Sequence, residues 1–206
     1  MKRVSLFLSI LLLTLPLSAE AISFKGGYTK VRMQDGKKEI VLSGGAQVQT
    51  GSLSLSAKTI TLSGDDYDRI SLSGDVTVVD TEQGLTMQSP AVGYVRSTGV
   101  LSVQSWVEID DTTNEISASA GSLSFNRQTG LMQLEGQVRL LRAASKGIMR
   151  CTSDTLTYDR DHKRLQLAGD AVITWNGDVY QAHVITVDLD SEEIQLEGSI
   201  KGTVHG

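Results

Sequence analysis

The chain holds a single cysteine, Cys151, so no internal disulfide can form even in an oxidising compartment. Its flanks, Arg150 and Thr152, read as strand, and nothing in the sequence pairs the thiol with a base; a buried structural thiol is favoured over a nucleophile. Helix is nearly absent as well: after residue 21 no window sustains apolar residues at i, i+3, i+4 and i+7, and no second long apolar run appears. Aromatic residues make up only 5% of the chain, so few bulky rings are on hand to fill an interior.

The residues that chemistry needs are equally sparse. His162, His183 and His205 fall in a turn, a strand and the C-terminal tail, without the spacing that would gather metal ligands. No nucleophile elbow, phosphate-cradling glycine loop or zinc-type histidine pair occurs. Asp65-Asp66, Asp110-Asp111, Asp188-x-Asp190 and Glu192-Glu193 read as solvated turn charges, since none has the spacing of a calcium loop. The expectation is a non-enzymatic protein with no catalytic residue, metal or cofactor.

What is present begins with an address. Lys2 and Arg3 precede an apolar stretch from Val4 to Leu17 and a small-x-small site at Ala19-Glu20-Ala21. That order describes a secretory signal peptide over residues 1–21, its apolar run shorter than the roughly 20 residues needed to span a membrane. Its removal takes Lys2, Arg3 and Glu20, leaving 17 Lys plus Arg against 23 Asp plus Glu over residues 22–206. An acidic remainder makes nucleic acid an unsuitable partner.

The remainder repeats itself about every thirty residues. One element is aliphatic-x-aliphatic-x-small: Ile40-x-Leu42-x-Gly44, Ile70-x-Leu72-x-Gly74, Leu101-x-Val103-x-Ser105, Met132-x-Leu134-x-Gly136, Leu165-x-Leu167-x-Gly169 and Ile194-x-Leu196-x-Gly198. A second, small-x-x-apolar-x-apolar, follows each but the last: Ala57-x-x-Ile60-x-Leu62, Ala91-x-x-Tyr94-x-Arg96, Ala120-x-x-Leu123-x-Phe125, Ser153-x-x-Leu156-x-Tyr158 and Ala182-x-x-Ile185-x-Val187. Arg96 stands on the apolar track, and Ser105-Trp106 replaces the glycine of the third unit.

Within each element apolar and polar residues alternate with period two, which describes half-buried antiparallel strands with one wet face. Asn176-Gly177 between Trp175 and Val179 reads as a type I′ hairpin turn. The mid-strand glycines permit bends or bulges by which a strand leaves one sheet and enters the facing one. The expected fold is all-β: an elongated antiparallel β-jellyroll of tandem units over residues 22–206, with six to eight strands per sheet and about 30 to 40 Å long. A parallel β-helix is the weaker alternative.

The run Ile40-Val41-Leu42-Ser43-Gly44-Gly45-Ala46-Gln47-Val48 with Leu53-x-Leu55-x-Ala57-x-x-Ile60-x-Leu62 resembles the OstA-like periplasmic lipopolysaccharide-transport family, the LptA-like proteins and their relatives in the LptC and LptD N-terminal domains. Asp154-Thr155-Leu156-Thr157-Tyr158, Leu165-x-Leu167-x-Gly169-Asp170-Ala171-x-Ile173 and Ala182-x-x-Ile185-x-Val187 carry the resemblance through the second half. It implies a periplasmic β-jellyroll that binds acyl chains of lipopolysaccharide or another glycolipid in a trough. It also implies joining head to tail with further copies, or with related jellyroll domains of inner- and outer-membrane components, as a bridge for lipid.

The groove would be lined by the inward residues Leu42, Val48, Leu55, Ile60, Leu72, Val78, Val103, Leu134, Val138, Leu156, Leu167 and Ile185, between sheets that close at one edge and gape at the other. The competing reading is a structural or adhesive β-repeat envelope protein with a closed core. It predicts assembly without lipid.

Overall fold

A computed structural model describes residues 21–34, 37–144 and 147–205; the expected signal peptide, residues 1–21, lies outside them apart from Ala21. Among the described residues sixteen strands form one hydrogen-bonded network. They are β1 (Ile22–Lys25), β2 (Tyr28–Gln34), β3 (Lys37–Thr50), β4 (Leu53–Ser63), β5 (Arg69–Asp80) and β6 (Leu85–Val95). Then follow β7 (Val100–Val103), β8 (Val107–Asp111), β9 (Ile116–Ala120), β10 (Ser122–Asn126) and β11 (Leu131–Ala144). The last are β12 (Gly147–Asp159), β13 (Arg164–Trp175), β14 (Asp178–Asp188), β15 (Ile194–Glu197) and β16 (Lys201–Thr203). Among the described residues helical structure is confined to one 3₁₀ turn, Asp65–Tyr67.

Every pairing is antiparallel, which rules out the parallel β-helix. The long strands are each broken in the middle by a register shift, as between Ser73 and Val76 where β5 meets β6. The shift divides a strand into one half on a front half-sheet and one on a back half-sheet. In β3, residues up to Ser43 pair with β2 and those from Gln47 pair with β1, both along the edge away from β4. In the third unit the division becomes complete: β6 pairs with β7 in front and β8 behind, and β11 with β10 in front and β9 behind. The fold is an antiparallel β-jellyroll, with twelve strand segments in each half-sheet among the described residues. The expected six to eight per sheet was too few, because each long strand serves both sheets; at about 4.8 Å per strand the stack is about 50 Å long.

The two repeated elements are the two ways of making the crossing. In β5, β11 and β13 the bulge is a pair of left-handed residues, Gly74-Asp75 (φ 77° and 49°), Gly136-Gln137 (80° and 53°) and Gly169-Asp170 (75° and 44°). The glycine leads because a Cβ at Gly74 would come within 3.0 Å of the Lys58 Cβ on the neighbouring strand as well as facing backbone strain. In the intervening strands the inward face changes parity instead: Ala57 then Ile60 in β4, Ser153 then Leu156 in β12, Ala182 then Ile185 in β14. The second unit follows the same rule two residues earlier than the sequence pattern suggests, with Ser89, Val92 and Tyr94 inward. Arg96 therefore does not interrupt the apolar track; it lies beyond β6, where its Nη1 donates to the Asp66 carbonyl at 2.9 Å. At Ser105-Trp106 the rung breaks outright between β7 and β8, held by Ser89 Oγ, 3.1 Å from Ser105 Oγ and donating to the Trp106 carbonyl at 3.0 Å.

Candidate functional site

Inward side chains of the two half-sheets meet in one continuous core cluster from Ile40 to Leu189. All twelve expected groove residues belong to it, and none is more than 2% exposed. The register lines them up as ladders. In the front half-sheet Leu42 faces Ile60, which faces Leu72; further along, Leu134, Leu156, Leu167 and Ile185 succeed one another on adjacent strands. Behind them Val48, Leu55 and Val78 form the corresponding row. Cys151 sits in the back half-sheet at 2% exposure, and burial pushes its thiol pKa up to about 12. A separate depression of about 550 Å³, lined by Gln88, Glu108, Asp110, Arg139 and Leu141 among others, lies on the outer face of the back half-sheet.

The edge expected to gape is closed. Strands cross between half-sheets along one side, the seam of bulges; on the other side the hairpin turns of the two half-sheets meet and are joined by side chains. Arg127, in the front turn between β10 and β11, donates from Nε to Asp80 Oδ2 at 2.7 Å, from Nη2 to Ser52 Oγ at 2.8 Å and from Nη1 to the Tyr94 hydroxyl at 3.2 Å. Asp80 ends β5 in the back half-sheet and is 2% exposed. One unit further, Arg160 donates from Nε to Asp111 Oδ2 at 2.8 Å and from Nη1 and Nη2 to the Gln83 side chain and carbonyl at 2.7 and 2.8 Å. The Tyr158 hydroxyl donates to the same Asp111 oxygen at 2.9 Å. A third clasp reverses polarity: back-sheet Arg142 donates to the Leu189 carbonyl at 2.6 Å and lies 3.9 Å from Glu192.

Burial on its own would raise the pKa of Asp80 and Asp111. The Arg127 and Arg160 guanidiniums, with Ser52 beside the first and Asn114 and Tyr158 beside the second, outweigh it and hold both carboxyls below their ordinary values. Burial, reinforced by the neighbouring Asp111 charge, drives Tyr158 up. Asp111 was expected to be a solvated turn charge and is instead 1% exposed, because the turn it begins folds over the mouth of the core. The signal for these residues was in the repeats: Tyr94-x-Arg96, Phe125-x-Arg127 and Tyr158-x-Arg160 recur at unit spacing, as do Val78-x-Asp80 and Ile109-x-Asp111.

Asp65, Asp66, Asp188 and Asp190 are exposed turn groups as expected, Asp188 Oδ1 accepting from the Asp190 and Ser191 amides at 3.0 and 2.8 Å, whereas Glu192 is partly buried beside Arg142 in the third clasp. Among the described residues no three His, Cys, Asp or Glu side chains gather as metal ligands.

Residues 142–193 match the family model described as the LptA/(LptD N-terminal domain) LPS transport protein. This supports the OstA-like resemblance read from the repeats. The matched segment runs from β11 through the β14–β15 turn and contains the ladder residues Leu156, Leu167 and Ile185. Among solved structures the chain is similar to LptH of Pseudomonas aeruginosa, described as the LptA-homologous periplasmic component of the conserved lipopolysaccharide transport device. That similarity has 12% identity and a TM-score of 0.30, covering 91% of this chain and 96% of the other. No curated protein matches the sequence.

Proposed function

We propose that this is an exported periplasmic component of lipopolysaccharide transport that shields lipid acyl chains between its two half-sheets. The observation that carries the reading is the family match over residues 142–193 falling on a jellyroll whose aliphatic ladders run the length of the stack. Each methylene withdrawn from water is worth about 0.8 kcal/mol, so a twelve-carbon chain costs roughly 10 kcal/mol to leave exposed. A continuous aliphatic interior is the matching environment. Residues Leu42, Val48, Leu55, Ile60, Leu72, Val78, Val103, Leu134, Val138, Leu156, Leu167 and Ile185 are the proposed acyl-contacting set, reached when the half-sheets part.

Carriage across the envelope requires more than one copy of a stack about 50 Å long. The edges of β1 and β2 at one end, and of β15 and β16 at the other, which are unpaired among the described residues, suit head-to-tail pairing with further copies or with related jellyroll domains. The ends also expose Tyr28, Val31 and Met33 on one side and Ile200 and Val204 on the other.

The test is native mass spectrometry of the mature protein purified from its own envelope, with analysis of any released lipid. Stoichiometric acylated glycolipid supports the carrier. A second reading is favoured by the near-complete burial of the twelve residues: a rigid envelope rod with a permanently closed core. It predicts that the protein is recovered empty and takes up no added lipid.

A further inference from the structure

We propose that the turn edge of the jellyroll, held by the clasps Asp80–Arg127 and Asp111–Arg160, is the gate through which a long acyl chain enters the core sideways. This rests on the carrier reading above. The opposite edge cannot part, because there the backbone itself passes from one half-sheet to the other through the bulges of β3, β5, β11 and β13. Among the described residues the turn edge is bridged by side-chain hydrogen bonds and ion pairs, with no strand passing across it. Each clasp joins residues 47 or 49 apart in sequence, one from a front turn and one from the end of a back strand.

The chemistry of the closure suits an edge that reopens. An apolar seal between the turns would pack at least as well, since replacing a buried ion pair by hydrophobic residues is often neutral or stabilising. Such a seal would then resist water on parting. Paired charges behave differently, because Asp80, Arg127, Asp111 and Arg160 all recover hydration when separated, which lowers the penalty of the open state. Just inside the clasps lie Tyr94 and Tyr158, apolar in body and bonded at the hydroxyl to the clasp residues. A chain entering there passes from a hydrated rim to an aromatic collar to the aliphatic ladders.

The experiment bridges the mouth. In a Cys151→Ala background, Glu82→Cys with Gln128→Cys and Thr113→Cys with Asp161→Cys place exposed thiols on back and front turns beside the two clasps. A short bismaleimide joins each pair, and uptake of dansyl-undecanoic acid is followed by fluorescence before and after bridging. The gate predicts at least tenfold slower uptake after bridging, and at least severalfold faster uptake in the Asp80→Asn, Asp111→Asn variant at unchanged final occupancy. In that variant the native Cys151 provides a lipid-free readout: it should react with a small thiol reagent faster than in a Leu167→Ala variant, whose lesion lies within the core. Probe binding with equal rates bridged and unbridged overturns the gate and leaves the carrier standing. No probe binding by the unmodified protein at any concentration overturns both.

Discussion

Arg160 and Asp111 lie 49 residues apart in sequence yet meet at 2.8 Å, each less than a tenth exposed, across the mouth between the two half-sheets. Removing one partner strands the other charge in a desolvated site. Asp111→Leu or Arg160→Met alone should therefore cost about 3–5 kcal/mol, whereas the double variant should recover most of the loss. Urea unfolding of the four proteins measures this. Additive losses would show that the two side chains act independently.

Acid should loosen the same edge. The folded-state pKa values of Asp80 and Asp111 lie below the ordinary 3.8, so the stabilisation they contribute is fully present above that value and is lost as pH falls through the lower folded values. Melting temperature measured from pH 6 downward should fall more steeply below about pH 4 in the wild type than in Asp80→Asn, Asp111→Asn. Parallel curves would mean that other carboxylates dominate acid unfolding.

Leu167, on the front ladder between Leu156 and Ile185, is fully buried. Leu167→Ala should cost about 2–5 kcal/mol in denaturant unfolding, the transfer of the side chain plus the cavity it leaves. A loss under 1 kcal/mol would indicate that the half-sheets close over the gap, a looser interior than the packing shows.

The bulge glycines separate backbone strain from crowding. Gly45 has φ 78° and open space where a Cβ would point, while Gly74 has φ 77° with the Lys58 side chain against that position. Gly45→Ala should cost about 1–2 kcal/mol from left-handed backbone alone, and Gly74→Ala measurably more. Equal losses in thermal unfolding would assign the whole cost to φ.

Much of this architecture was legible beforehand because it follows from local chemistry. The hairpin at Asn176-Gly177 has both central residues at positive φ, 52° and 88°, as the pair of residue types requires. The linked elements Ile70-x-Leu72-x-Gly74 and Ala57-x-x-Ile60-x-Leu62 likewise marked the sheet crossings, since a left-handed bulge needs glycine and a change of inward face shifts the apolar spacing from two to three. In the second unit Ser89 and Ala91 are two small residues two apart and either fits the pattern; starting the element at Ala91 sets Arg96 on the apolar track as a break, whereas the buried set begins at Ser89.

By itself the sequence determined that the chain forms antiparallel strands, where each strand bends and which aliphatic side chains point inward, because these depend on period-two patterning and on residues near in sequence. Only the tertiary structure decided that the far edge is shut. Closure depends on Arg127 meeting Asp80 and Arg160 meeting Asp111, and a pairing between turns nearly fifty residues apart is set by how far successive strands advance along the stack, a distance that no local pattern encodes.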